Sequence, residues 1–289
     1  MRQKRRWRKV LYFFLGLGLA YVVGCYYLAS KYVRPGTTNG GSPAAGFHES
    51  SHPNAWLSAN LVNPGSPTTT FVLVHGYGGS QFGWNSVSSE LSKKGYGVII
   101  PALPGHDNLT ADTSGFAVKE SAIVRETARW VKAQTGGKSK VVVVGISMGG
   151  AACWLASVDC AEIDAIATEG CFARLEPATK QWFDRKAPGA STYLYPVIWF
   201  AKRMTGVDPA TVNPVEAAAK WKGKPALIIH GDLDALFATT DAHALAEASG
   251  GEFWSVSGAT HAHCSDVALD EYVKRLEKLA DLVPKPDPW

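Results

Sequence analysis

The chain has 289 residues, of which 46% are hydrophobic and 19% are charged, as expected for one soluble domain of ordinary composition with an appendage. Its net charge of +4 is unevenly placed. Residues 1–34 carry eight Lys and Arg residues and no acidic residue, whereas the remainder carries 21 basic and 25 acidic residues. This mildly acidic body gives no electrostatic basis for binding nucleic acid.

An uncharged apolar segment occupies residues 10–30, and its 21 residues are enough for a transmembrane helix. Six of the first ten residues are basic, so the positive-inside rule keeps the N-terminus in the cytoplasm and sends the body across the membrane. We therefore predict a basic N-terminus and a retained single-pass anchor at residues 1–34. The body would be extracytoplasmic, either periplasmic or extracellular.

Two alternatives for this segment stay open. A signal peptide cleaved near Ala29 and Ser30 is one, although its apolar core would normally be shorter and the cleavage site is weakly formed. Lipidation is the other, because residues 22–25 (Val-Val-Gly-Cys) are similar to a bacterial lipoprotein box that ends at Cys25. All three interpretations place the body outside the cytoplasm.

Residues 35–54 are rich in Gly, Pro and Ser and lack hydrophobic periodicity, so we predict a flexible linker. Residues 55–289 alternate short apolar runs with segments of helical spacing. The predicted strands are 68–75, 97–101, 141–144, 163–168, 226–230 and 253–256, and the main predicted helices are 84–93, 116–134 and 266–282. This alternation predicts an α/β domain with a mostly parallel, doubly wound sheet.

Residues 171–222 interrupt the alternation. They are rich in aromatic residues and prolines, and we predict a small helical cap inserted over the site. The site itself is expected beyond the carboxyl ends of the strands, where ligands bind in open parallel sheets.

A Gly-x-Ser-x-Gly pattern, from Gly145 to Gly149, lies between the predicted strand 141–144 and a segment of small residues compatible with a helix. This strand, turn and helix context is what a serine nucleophile requires. The turn exposes Ser147, and the glycines let strand and helix approach closely. The helix N-terminus presents free N–H groups to developing negative charge. We therefore predict Ser147 as a nucleophile.

A serine nucleophile needs a base and an acid that orients the base. Two later strands are followed by suitable residues. The strand at 226–230 leads into Asp232 and Asp234, and the strand at 253–256 leads into a loop that contains His261 and His263. In this order of serine, acid and histidine, each residue follows a strand. The order alone does not decide between Asp232 and Asp234 as the acid, or between His261 and His263 as the base.

With these motifs the chain resembles the α/β-hydrolases over about residues 55–283, specifically the serine aminopeptidase-like and monoglyceride-lipase-like group. It is most similar to the membrane-anchored branch with a small cap. The family pattern His-Gly-x-x-Asp implies that Asp234 is the acid, and the family's small-residue turn implies that His261 is the base. The segment from His75 to Gly79 matches the family's oxyanion loop, which implies oxyanion-hole N–H groups from Tyr77 and Met148, with His75 in a structural role.

The resemblance implies a membrane-anchored serine hydrolase of carboxylic esters, with a lipid or small-molecule ester as its substrate. A serine peptidase or amidase is the first alternative, and a non-catalytic binding protein on the same fold is the second. We predict no cofactor and no metal, because no Cys-x-x-Cys pair and no phosphate-binding loop is present. Asp107 stands where many relatives have a glycine, and we expect a local change in loop shape there.

Overall fold

The computed structural model describes residues 2–36, 41–51, 54–62 and 67–284. Its helices are α1 (Arg2–Tyr32), α2 (Ala59–Val62), α3 (Asn85–Lys93), α4 (Val118–Gln134), α5 (Met148–Ala156), α6 (Leu175–Lys186), α7 (Ala190–Tyr193), α8 (Tyr195–Thr205), α9 (Pro214–Lys220), α10 (Thr239–Ser249), α11 (Cys264–Val267) and α12 (Leu269–Asp281). Its strands are β1 (Phe47–Ser51), β2 (Asn54–Ser58), β3 (Thr69–Val74), β4 (Gly97–Pro101), β5 (Lys140–Ile146), β6 (Ala165–Glu169), β7 (Ala226–Gly231) and β8 (Glu252–Val256). Short 3₁₀ turns add Gln81–Trp84 and Pro209–Thr211.

These strands form one eight-stranded sheet in the described part of the chain, in the order β1-β2-β4-β3-β5-β6-β7-β8. β4 to β8 run parallel with β3, whereas β1 and β2 pair antiparallel at one edge. The parallel strands are buried almost throughout because both faces of the sheet are covered, which explains their runs of Val and Ile. The predicted doubly wound, mostly parallel sheet is confirmed.

The core has two layers, one on each face of the sheet. On one face, α4, α5, α9 and α10 bury side chains such as Val124, Trp154 and Leu245. On the other face, α3 and α12 bury Leu91 and Leu276. The carboxyl ends of β3 and β5 to β8 meet at one edge of the sheet, where the loops that carry the predicted site residues begin.

Two predicted boundaries need correction. The predicted linker 35–54 includes β1, which pairs with β2 from Phe47↔Ser58 to Ser51↔Asn54 and extends the sheet. Residues 37–40 and 52–53 of that linker lie outside the described residues, as do 63–66 and 285–289 of the predicted domain. The predicted cap 171–222 is also too long, because α9 packs on α5 and α10 in the core layer. The cap consists of α6, α7 and α8.

The N-terminal apolar segment is a helix, and Lys4–Tyr32 is long and apolar enough to cross a membrane. Most of its apolar side chains are exposed between Val10 and Val23. Its C-terminal part instead packs along α8 of the cap, where Cys25 and Ala29 are buried. The helix is therefore joined to the body by direct contacts as well as by the chain.

Candidate active site

Ser147 is the single residue between the end of β5 and the start of α5. Its backbone has φ 55° and ψ −117°, a strained conformation for a residue with a side chain, of the kind that costs about 1–3 kcal/mol. Its N–H donates to the carbonyl of Glu169 at 2.7 Å, and its own carbonyl accepts from Ala151 N at 3.1 Å. The turn thus holds the serine at the carboxyl edge of the sheet and at the N-terminus of α5.

The two glycines of the motif are required by close packing. A Cβ on Gly145 would lie 2.4 Å from the carbonyl carbon of Gly149. A Cβ on Gly149 would lie 2.4 Å from the carbonyl oxygen of Val74 in β3. Any side chain at either position would push α5 away from the sheet and displace Ser147.

Asp234 and His261 come from the loops after β7 and β8, and the structure brings them together. His261 Nδ1 lies 2.7 Å from Asp234 Oδ2, and the carboxylate side chain is only 1% exposed. The other carboxylate oxygen accepts from Leu236 N at 2.7 Å and Phe237 N at 3.1 Å. Burial favours a raised pKa for Asp234, but these hydrogen bonds and the nearby imidazole outweigh it and hold the pKa below its ordinary value.

The rival residues lie elsewhere. Asp232 binds Gly258 N at 2.7 Å and the Ser257 hydroxyl at 3.0 Å on the surface, so it closes a turn. His263 pairs at 2.6 Å with Asp266, and both side chains are more than half exposed. Asp234 is therefore the aspartate that contacts His261, and His261 lines the same cavity as Ser147.

The predicted oxyanion loop follows β3, beside the start of α5. His106 supports this loop: its Nε2 accepts from Gly78 N at 2.9 Å, and its Nδ1 donates to Pro104 O at 2.9 Å. This arrangement uses the neutral imidazole, with one donor and one acceptor nitrogen. Burial, and then the neighbouring His75, lowers the pKa of His106 to about 4. The loop that carries Tyr77 therefore rests on a histidine that is neutral at pH 7.

Asp107 is a residue whose importance the sequence did not reveal. Its φ is 49°, so the aspartate adopts the left-handed backbone conformation that glycine favours. Its carboxylate accepts from His75 Nε2 at 2.9 Å and from Gln81 N at 3.0 Å. His75 and Asp107 follow adjacent parallel strands, which is the signal that would have suggested their contact.

Glu169, the last residue of β6, was also missed. It is fully buried, and its carboxylate accepts from Cys264 N at 2.8 Å in the segment that follows His261. Burial raises the pKa of this carboxyl group above its ordinary value. Because its backbone carbonyl also accepts from Ser147 N, Glu169 connects the nucleophile turn to the histidine loop.

A cavity of about 260 Å³ opens above Ser147 and His261. None of the described residues that line it is Asp or Glu, and most are apolar. The aromatic members are Tyr32, Tyr77, Trp84, Phe116, Phe172, Trp182 and Phe237. This arrangement can hold a small apolar group beside a serine hydroxyl and a histidine.

All five cysteines lie in the described part of the chain, and all are buried and reduced. Cys160 and Cys171, which flank β6, are not joined. Burial raises the pKa of the Cys171 thiol well above its ordinary value, so it carries no thiolate at pH 7.

A sequence profile of the alpha/beta hydrolase family matches residues 71–275, more than two thirds of the chain. The chain therefore belongs to the alpha/beta hydrolase family, and the sheet described above is its fold. No curated protein sequence matches significantly.

Solved structures with the same fold include several esterases. The Pyrococcus furiosus esterase Pf2001 superposes with a TM-score of 0.61 at 20% identity, covering 79% of this chain and 85% of that one. Esterase 2 of Thermogutta terrifontis, phosphoramylated by tabun, gives 0.60 at 15% identity, covering 84% and 98%. Est1E of Butyrivibrio proteoclasticus with bound ferulic acid gives 0.56 at 17% identity, covering 78% and 92%. At these identities the likeness concerns the fold.

Proposed function

We propose that this protein is a membrane-anchored serine hydrolase that cleaves carboxylic esters through an acyl-enzyme. The observation that supports it most is the meeting of three features at one cavity. Ser147 lies on a strained turn, His261 lines the same cavity, and Asp234 holds the histidine ring at 2.7 Å. This is the combination that an activated serine requires.

The reaction follows from these positions. Ser147 Oγ attacks the ester carbonyl while His261 Nε2 takes its proton, and Asp234 stabilises the imidazolium that forms. The backbone N–H groups of Tyr77 and Met148 hold the oxyanion, and loss of one such donor costs on the order of 10²–10³ in rate. His261 then protonates the leaving alcohol. Water, activated by the same histidine, attacks the acyl-enzyme and releases the acid.

The cavity favours an ester with a small or medium apolar group. Its lining is mostly aromatic and aliphatic, and its volume of about 260 Å³ is modest for a ligand site. Several solved structures with this fold are esterases, which agrees with this choice. A peptidase that binds a free amino terminus would need an acidic group in the cavity, and none of the described lining residues supplies one. Within the family we assign the chain to the serine aminopeptidase-like and monoglyceride-lipase-like group, in its membrane-anchored branch.

We further propose that residues 1–34 are a retained anchor with its N-terminus in the cytoplasm and the hydrolase domain outside. The basic cluster before the apolar span supports this orientation. Burial of Cys25, Ala29 and Val33 supports retention, because cleavage after Ser30 would strip the cap of its contact with Cys25 and Ala29.

The test is labelling with a fluorophosphonate probe in detergent, with Ser147→Ala as the control, followed by turnover of matched ester and aminoacyl-amide substrates. We expect labelling of the native protein only, and ester turnover well above amide turnover. Amide turnover without ester turnover would make the peptidase the better assignment. If the folded native protein neither labels nor turns over any substrate, it is a binding protein on this fold.

A further inference from the structure

The last turn of the anchor helix is built into the hydrolase domain. Val33 is fully buried, and its carbonyl accepts from Ser114 N at 2.8 Å. Gly36 N donates to the carbonyl of Gly105 at 3.0 Å, in the loop after β4. These hydrogen bonds fix the end of the helix relative to the sheet. The side chain of the last helical residue therefore has a fixed position.

That side chain is Tyr32, and it lines the cavity above Ser147. Its ring centroid lies 5.3 Å from that of Tyr77, 5.1 Å from that of Phe116 and 5.0 Å from that of Trp182. These rings come from the oxyanion loop, from the residues before α4 and from the cap. The anchor helix therefore joins three separate parts of the cavity wall.

A hydrogen bond reinforces this contact. The hydroxyl of Tyr77 donates to the backbone carbonyl of Tyr32 at 2.7 Å. Tyr77 is the residue whose backbone N–H we assign to the oxyanion hole. The anchor helix thus makes two kinds of contact. The ring of Tyr32 packs on other aromatic residues of the cavity wall, and the backbone carbonyl of Tyr32 binds the oxyanion loop through the Tyr77 hydroxyl.

We propose that Tyr32 is a specificity-determining residue: the anchor helix supplies one wall of the acyl pocket, and the Tyr32 ring limits the length of the acyl group that the pocket accepts. This inference rests on the proposed ester hydrolysis and names the element that selects the substrate. The pocket is complete only with the anchor helix in place, so the anchor selects substrate as well as location.

The effect has a definite direction and size. Replacing the ring by a methyl group lengthens the cavity, and a larger ring shortens it. Each methylene group of the acyl chain that becomes buried in the cavity, or is excluded from it, changes kcat/KM roughly fourfold, the equivalent of ~0.8 kcal/mol. Because the change acts on binding of the acyl chain, it should appear mainly in KM for substrates near the limit.

The experiment uses the full-length protein in detergent, with Tyr32→Ala and Tyr32→Trp compared with the native protein. Tyr27→Ala is the matched control, since Tyr27 lies on the same helix but is 59% exposed. kcat and KM are measured for p-nitrophenyl esters with acyl chains from two to twelve carbons. Fluorophosphonate labelling checks that each variant is folded with an active Ser147, and Tyr32→Leu replaces Tyr32→Ala if the alanine variant does not label.

We expect Tyr32→Ala to move the preferred chain length up by two or more carbons and Tyr32→Trp to move it down, with no shift in Tyr27→Ala. An unchanged preference in both Tyr32 variants would overturn the proposal, and so would an equal fall at every chain length or the same shift in the control.

Failure of the proposed ester hydrolysis can be recognised separately, because the native protein itself would then turn over no ester of any chain length. In that case, quenching of tryptophan fluorescence by terminally brominated alkanoates of increasing length measures the same preference without turnover, since the indoles of Trp84 and Trp182 line the cavity. A shift in the preferred alkanoate length with Tyr32→Ala but not with Tyr27→Ala supports the proposal that Tyr32 forms a wall of the pocket. The same preferred length in the native protein and in Tyr32→Ala refutes it.

Discussion

The carboxylate of Asp107 gives a sharp test of how the oxyanion loop is held. Its side chain is 4% exposed and accepts three hydrogen bonds, from His75 Nε2 at 2.9 Å, Gln81 N at 3.0 Å and Leu103 N at 3.3 Å. Removing an acceptor that leaves a buried donor unpaired costs about 1–3 kcal/mol per donor. Asp107→Ala should therefore lower the free energy of unfolding by about 3–9 kcal/mol.

A second substitution separates the hydrogen bonds from the backbone strain. With φ 49°, the backbone at Asp107 is left-handed, which costs a residue with a Cβ about 1–2 kcal/mol. Asp107→Gly relieves that strain, so it should lose about 1–2 kcal/mol less stability than Asp107→Ala, which corresponds to a melting temperature roughly 2–8 °C higher for a domain of this size. It should be more stable than Asp107→Ala although it removes more atoms.

The assay is thermal and denaturant unfolding in detergent, with kcat for a short ester measured in parallel. Asp112→Ala is the control, because Asp112 is exposed in the same loop. Both Asp107 variants should also lower kcat. Asp107 binds His75 in the oxyanion loop, and that loop carries the Tyr77 N–H. If Asp107→Gly has the same free energy of unfolding as the native protein, the reasoning is refuted, because the hydrogen bonds of the carboxylate would then contribute no net stability.

Two further predictions concern the neighbouring groups. Asp234→Asn should lower kcat on the order of 10⁴-fold, because an amide favours the wrong imidazole tautomer, whereas Asp232→Asn should stay within a few-fold; equal losses in steady-state kinetics would contradict the assignment of the acid. The second concerns His106, which is buried and neutral with its pKa lowered from 6.5 to about 4. The unfolded chain takes up the proton first, whereas the folded chain keeps Nε2 unprotonated as the acceptor for Gly78 N, so stability should fall between pH 6.5 and 4, by up to about 3 kcal/mol. Denaturant unfolding against pH should show this loss in the native protein and not in His106→Gln; parallel curves would contradict it.

The parallel strands could be predicted because a strand covered on both faces needs a continuous apolar run. Val141 to Val144 is such a run, and the structure buries all four residues. The glycine motif was predictable for a related reason: the close approach of α5 to the sheet leaves no space for a Cβ at Gly145 or Gly149. In both cases the residues that determine the structure are neighbours in the sequence, so the sequence was enough to predict it.

The edge strand and the boundary of the cap could not be predicted in this way. β1 has the sequence Phe-His-Glu-Ser-Ser, which is polar because the strand lies at the exposed edge of the sheet, where its pairing with β2 provides the order. α9 lies within the predicted cap because residues 171–222 interrupt the alternation of strands and helices and are rich in aromatic residues and prolines. Only its packing on α5 and α10 shows that it belongs to the core layer.

The sequence by itself determined the type of sheet, the position of Ser147 at a strand-to-helix turn and the presence of an apolar helix before the body, because each depends on residues close together in the chain. Tertiary structure decided the rest. It paired His261 with Asp234 and not Asp232, gave Asp107 its contact with His75, and placed Tyr32 in the wall of the cavity. These contacts join residues 27 to more than 100 positions apart, and their distances are fixed only when both faces of the sheet are packed.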